Sequence, residues 1–330
     1  MAKRLLFSLL FLGLVKSVAS AQSQPYYGSQ LENFAHRLIT YEFSVDPGSS
    51  TDAGLHTADN KLADYSPDAR RDYRQRLHEF RDELARLVPP PGASEHDQVN
   101  YLLLRANIEG AWWSETVLKP NERNPSVYEG ECSNGIFSLI KKPFASVEVR
   151  LRDAIGRLGA CRGVLNQGKA NLTDPVREFG KVASEDIASG DALYTTSLDA
   201  LAATASARTK ADLKSAQADA LSALHDYKRW VDAHLAQWHE GGFAVGKDQY
   251  DWYLRRVLLL PYTSDQVRTI GELELVRDRA LEAWEANHAR YERGAIHQRT
   301  FRNKAAFLKF YEDQTARVRA FIAARQLVDL

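Results

Sequence analysis

Helix-start signals recur along almost the whole of this 330-residue chain, and the alternation expected of half-buried strands is nearly absent. Ser29 with Glu32 has the spacing of a capping box, and Leu31, Phe34, Ala35, Leu38 and Ile39 follow at helical spacing. Ser66-Pro67 pairs an N-cap serine with a proline at the first helical position. It predicts a helix with Tyr73, Leu77, Phe80, Leu84 and Leu87 on its apolar face, ended by Pro89-Pro90-Pro91-Gly92. Ser94 opens a third helix carrying Tyr101, Leu102, Ile108, Trp112 and Trp113, which Pro120 stops. Pro47 to Asp64 reads as a polar, glycine-bearing link, and Lys119 to Gly130 as a loop rich in Asn, Pro and Gly. Further helices are predicted over 132–141, 145–166, 175–205, 210–238, 247–259, 264–291 and 303–326. Helices joined by short polar links, with no fixed-period repeat, predict an all-α fold: an irregular antiparallel multi-helix array.

The first residues read as a secretory leader. Lys3 and Arg4 precede an apolar run from Leu5 to Val15, and Ala19-Ser20-Ala21 is an A-x-A cleavage site. The run is too short to span a bilayer as a helix, and no later stretch is continuously apolar enough to do so. Residues 1–21 are therefore expected to be a signal peptide and 22–330 a single helical domain, exported to the periplasm or the extracellular space. The leader holds Lys3, Arg4 and Lys16 and no acids, which leaves the mature chain at a net charge of −3. No basic block or aromatic–basic alternation stands out, so no nucleic-acid partner is expected.

Cys132 and Cys161 are the two cysteines, with no C-x-x-C pairing. In an exported chain they are a disulfide candidate, closing a loop of about 30 residues and worth about 3–4 kcal/mol in the chain-entropy account. Two free thiols are the alternative reading.

Gly241 to Glu274 is the most telling stretch, GGFAVGKDQYDWYLRRVLLLPYTSDQVRTIGELE. Three glycines lead into a short helix from Lys247. Pro261-Tyr262-Thr263 then punctuates, and Thr263 with Gln266 is spaced as the capping box of a long helix. Three other segments accompany it: PGSSTDAGLHTADNKLADYS (47–66), RNPSVYEG (123–130) and FYEDQTARVRAFIAARQLVDL (310–330). Together, and in this order, they resemble a bacterial helical family known as domain-of-unknown-function family 885. The resemblance implies a peptidase-like protein with a zinc site of the His-Glu-x-x-His type in its C-terminal half. It covers nearly all of this chain after the leader, as the N-terminal part of that larger zinc-peptidase-like fold. Zinc is accordingly expected only where the missing half is present, and no cofactor is expected in this chain.

Zinc chemistry of that type needs two histidines one helical turn apart, so that both imidazoles reach one ion while a glutamate activates the bound water. No His-Glu-x-x-His occurs here. His78-Glu79-Phe80-Arg81-Asp82 comes nearest, with Asp in the second position, but Phe80 and Leu84 place it on the polar flank of a packed helix. His234 and His239 are five apart and point about 140° away from each other around a helix. Glu285 and His288 have the spacing used in di-iron bundles but lack a second such motif, so an exposed pair is the ordinary reading. No G-x-S-x-G elbow or Walker loop is present, and Cys132-Ser133-Asn134-Gly135 would need a histidine brought in by the fold. Neither catalytic nor metal residues are assigned.

The remaining site candidates are polar and aromatic: Asn124 and Tyr128, together with Gly246, Tyr250 and Tyr253, as walls of a substrate groove. The alternative for Tyr250 and Tyr253 is packing of their own short helix, and the six tryptophans at helical positions read as core. Functionally, the sequence points to the non-catalytic N-terminal half of a zinc-metallopeptidase-like protein, inactive alone. The alternative is a periplasmic helical module that binds peptides or a protein. Expected partners are peptides or the missing half. If that half docks here, the apolar residues Phe307, Leu308, Phe310, Val318 and Phe321 are expected to lie uncovered.

Overall fold

The computed structural model describes residues 27–291 and 299–326. The leader assigned to residues 1–21 lies outside them. The described chain is an all-α, multi-helix array in which the one strand-like feature is an isolated bridge between Val176 and His239. The chain divides into two compact units, one ending at Ser264 and the other beginning at Asp265, and the glycines at 241–246 fall inside the first.

The first unit opens with α1 (Tyr27–Val45) and a short α2 (Pro47–Asp52). Next come α3 (Pro67–Arg86) and α4 (Glu95–Trp113), the latter widening into a π turn at Ser114–Leu118. A single turn, α5 (Pro120–Arg123), leads to α6 (Ser126–Ile140) and α7 (Val147–Asn171). Helix α8 (Arg177–Ala192) also runs into a π turn, Leu193–Ser197, then α9 (Leu198–Leu201) and a 3-10 turn at Ala202–Thr204. Helix α10 (Ala207–His234) and α11 (Lys247–Arg256) complete the unit. The second unit contains α12 (Ser264–Tyr291), which starts at the boundary, and α13 (Lys304–Ala324).

The serine caps work as their spacing predicts. Ser66 accepts from the Ala69 amide and Ser94 from the Asp97 amide, each supplying an acceptor to an amide that the helix itself leaves unpaired. Ser66→Ala is expected to lower the stability of the folded chain by about 1 kcal/mol, read as a shift in urea midpoint; an unchanged midpoint would remove the cap from the account. Ser29 does not cap: α1 is already helical at Tyr27, which places Ser29 within it.

Two expected links turn out to be structured. Asp46 caps α2 by accepting from the Ser49 amide at 2.9 Å, which makes part of the 47–64 link helical. The 119–130 loop is helix at both ends, with Pro120 in the first turn of α5 and Pro125 as the residue before α6. Prolines there forfeit no helical hydrogen bond, so they start helices rather than interrupt them.

The main core lies among α6, α7, α8 and α10, with Ile136, Leu139, Leu151, Leu158, Leu165, Leu224 and Val231 buried in it. A smaller core joins α1, α3 and α4 through Leu31, Phe34, Leu38, Phe80, Leu84, Leu104 and Ile108, with Phe34 and Phe80 edge to face at 5.8 Å. Helix α7 meets α6 closely because Gly168 offers no side chain. A Cβ there would stand 2.6 Å from the Tyr128 ring, inside any real contact.

One buried cation fastens the N-terminal segment to this core. The Arg157 guanidinium, fully buried, donates to Gly135 O at 2.6 Å and Ser138 Oγ at 2.7 Å on α6. It also donates to Pro47 O at 3.2 Å and Thr51 Oγ1 at 2.7 Å on α2. Thr51 in turn donates to the buried carboxylate of Asp59, whose other oxygen faces His56 at 2.9 Å. Further along the same segment, Glu131 accepts from the Ala63 amide and the Tyr65 hydroxyl, and Asn171 donates to Tyr65 O. Residues 47–66 are thus a structural clasp.

Candidate functional site

The five groove candidates are not brought together in one cleft. Tyr128 corrects the expectation most sharply: it is fully buried, with its hydroxyl donated to Asn121 O at 2.5 Å, and so it is a core residue of α6. Asn124 ends α5 and its side chain accepts from the Ser126 amide at 3.0 Å. Gly246 precedes α11 with φ +81°, a left-handed conformation that suits glycine. The Tyr253 ring lies tilted against Trp113, centroids 4.6 Å apart, while Tyr250 is exposed on the same short helix. The two segments do meet at one point, where the Arg123 guanidinium donates to Gly242 O. Of the tryptophans read as core, Trp113 and Trp238 are buried, but Trp284 is exposed.

The two cysteines are free thiols, both buried, on α6 and α7. Burial pushes the Cys132 thiol well up, and its hydrogen bond with Cys161 adds to the rise. Thiol chemistry is therefore suppressed in the folded chain. Native-state titration with an aromatic disulfide reagent is expected to label neither cysteine; prompt labelling of Cys132 would return it to consideration as a nucleophile.

The zinc site implied by the family resemblance has no fitting donor set here. Among the described residues no three His, Cys, Asp or Glu side chains are grouped so as to hold a metal ion. His78 is instead paired with Asp82 at 3.2 Å on the surface and lies against Trp112. His239 faces Asp174 at 3.0 Å, and His234 bonds Trp230 O within its own helix. No step through zinc is derived for these residues.

The concave feature that does carry unsatisfied polar groups is a cavity of about 210 Å³ between α6, α8, the following π turn and α10. Glu129 and Ser133 border it from α6, Asp186 and Asp191 from α8, Tyr194 from the π turn and Leu224 from α10. Glu129 is only 4% exposed, and its Oε1 is buried without a hydrogen-bond partner. Burial, with the nearby Asp186 charge, pushes its pKa up to about 7. The Tyr194 hydroxyl is likewise buried and unpartnered, and burial raises its pKa well above the usual phenol value. Asp191 is held by His225 at 3.0 Å. A π turn widens the helix by one residue and recurs at functional sites; here it is what carries Tyr194 to the cavity wall. Pattern alone gave no hint of this cluster, since its members come from separate elements and Glu129 gains its burial only through packing.

The second unit has a different surface. On α12, Ile270, Leu273, Val276, Leu281 and Trp284 are exposed and fall within an arc of about 140° at 100° per residue. On α13, Phe307, Tyr311, Val318 and Phe321 form a comparable exposed stripe, with Leu308 exposed beside it and Phe310 half-buried. Of the five residues expected to lie uncovered on this helix, Phe307, Leu308, Val318 and Phe321 are exposed and Phe310 is not. No helix among the described residues is long and apolar enough to cross a membrane.

The described residues form an all-α array with an acidic cavity in the first unit and exposed apolar helix faces in the second. Residues 47–328 match the family of bacterial proteins of unknown function DUF885, and the chain belongs to that family. It is similar in fold to a solved structure from Shewanella oneidensis described as a "putative lipoprotein of unknown function", with a TM-score of 0.66 at 16% identity. The match covers 94% of this chain and 59% of that one, so the present chain spans about three-fifths of its length. No curated protein matches by sequence.

Proposed function

We propose that this chain is exported and acts as the non-catalytic helical portion of a zinc-peptidase-like protein, with its C-terminal unit serving as the docking element for a complementary segment. The observation that carries the reading is the pair of apolar stripes on α12 and α13, since exposed apolar patches of this extent mark interfaces. The occupant is a segment equivalent to the remaining two-fifths of the Shewanella relative, beyond the part this chain matches. A periplasmic peptide-binding module is the second reading, and the acidic cavity is what favours it.

The docking reading is tested by light scattering and dye binding on the leader-free chain, with and without the part of the Shewanella relative that this chain does not match. The chain alone is expected to bind a hydrophobic dye, and the added segment to form a one-to-one complex and release it. Val276→Glu combined with Trp284→Glu is expected to abolish the complex while leaving the helical signal in place. A chain that binds neither dye nor segment would overturn the reading. Cell fractionation checks export: the mature chain is expected in the periplasmic or extracellular fraction, and retention in the cytoplasm would refute it.

A further inference from the structure

The cavity beneath the α8 π turn presents an unusual balance of charges. Three carboxylates border it, from Glu129, Asp186 and Asp191, and no lysine or arginine does. His225 meets the group at its edge, through Asp191 at 3.0 Å. Glu129 Oε1 and the Tyr194 hydroxyl are each buried without a partner, a costly state for a polar atom, and both residues line this cavity. Ile187, Leu224 and the Tyr194 ring supply an apolar part of the wall, and Ser133 and Ser189 add neutral polar groups. An anion is repelled by this lining. A metal ion lacks its donor set, as no three ligating side chains are suitably grouped among the described residues.

We propose that the cavity binds a primary alkylammonium group on a short apolar stem, as found in a lysine side chain or at the amino end of a peptide. An ammonium offers three N–H donors and a full positive charge, and it satisfies both orphaned atoms at once. The stem lies against Ile187 and Leu224. A volume near 210 Å³ admits a group of this size and excludes a folded segment. The proposal goes beyond the docking reading and is independent of it, because the cavity lies wholly in the first unit.

The test uses the leader-free full chain and four probes: n-butylamine, leucinamide, n-butanol and butyrate, followed by amide-resolved NMR. Both amines are expected to bind saturably and to shift amides of residues 129–133 and 186–194, while the alcohol and the carboxylate do not. Tighter binding of butylamine assigns the site to side-chain amines, and tighter binding of leucinamide to peptide amino termini. Glu129→Gln, close in shape to the native residue, is expected to weaken amine binding at least tenfold. The exposed control Asp212→Asn is expected to leave it unchanged. Should Glu129→Gln fail to fold, Gly190→Leu provides the second variant. Gly190 borders the cavity and a Cβ there meets nothing within 4 Å, so the added side chain fits and obstructs the site. Amines that bind no better than butanol, or that bind both variants as well as the native chain, would overturn the proposal and leave the cavity to water.

Discussion

Arg157→Leu is expected to destabilise the first unit by about 3–5 kcal/mol, the scale found when one member of a buried charged network is removed. The substitution leaves Gly135 O, Pro47 O, Ser138 Oγ and Thr51 Oγ1 without the donor that now serves all four. It also strips the buried Asp59 carboxylate of a guanidinium charge that interacts with it, and apolar volume does not repair either loss. A fall of that size corresponds to a melting temperature lower by roughly 10 °C for a domain of this length. Arg150 is the useful contrast. It is also buried but donates only to Leu139 O and Ile140 O at the end of α6, so Arg150→Leu is expected to cost less, about 1–3 kcal/mol. Urea denaturation followed by circular dichroism checks both. Equal and small effects would mean that the clasp over residues 47–66 is decoration.

The second large effect concerns pH. Burial raises the carboxyls of Glu42 and Glu129 from 4.5 to about 7, with Asp46 adding to the rise at Glu42 and Asp186 at Glu129, and with a hydrogen bond from Asn107 opposing it at Glu42. Below pH 4.5 both groups are protonated whether the chain is folded or not, and they contribute no slope. Between 4.5 and 7 the unfolded chain releases the proton while the folded chain keeps it, so stability falls as pH rises. The loss amounts to about 3 kcal/mol per group and is complete above pH 7. Glutamine imitates the protonated acid. Glu129→Gln and Glu42→Gln are therefore each expected to stabilise the chain at pH 8 by about 3 kcal/mol more than they do at pH 4.5. Matched urea midpoints at the two pH values decide it, and a variant effect that is the same at both would rule out buried, neutral carboxyls. The same Glu129 substitution that weakens amine binding thus strengthens the empty fold, as expected of a residue kept for a ligand.

Local chemistry made the helices legible. Ser66-Pro67 and Ser94 start them where expected, and α12 begins at Ser264 directly after the Thr263 signal. The long predicted segment over 175–205 is helical from Arg177 to Thr204, but its π turn is invisible to a 3.6-residue period. The Asn-, Pro- and Gly-rich composition of 119–130 suggests a loop, but Pro125 stands directly before α6, where proline suits a helix start. Tyr128 was illegible for another reason. Tyr128 is an amphipathic side chain whose polar tip found a carbonyl inside the core, and nothing in its neighbours announces that Asn121 O would be within reach. The acidic cavity was illegible for the converse reason: Glu129, Asp186 and Tyr194 look like ordinary helix-surface residues until three helices close around them.

The clasp has a consequence for the order in which the chain becomes whole. The longest of its bonds join residues separated by 102 to 110 positions, from Pro47, Thr51 and Tyr65 to Arg157, Gln167 and Asn171. A growing or threading chain therefore delivers α2 and the segment after it long before the groups that hold them exist. Contacts of such span close only after their loop entropy has been met. Until α7 has emerged, α2 lacks the guanidinium that fastens it, whereas α1 already has α3 and α4 to pack against.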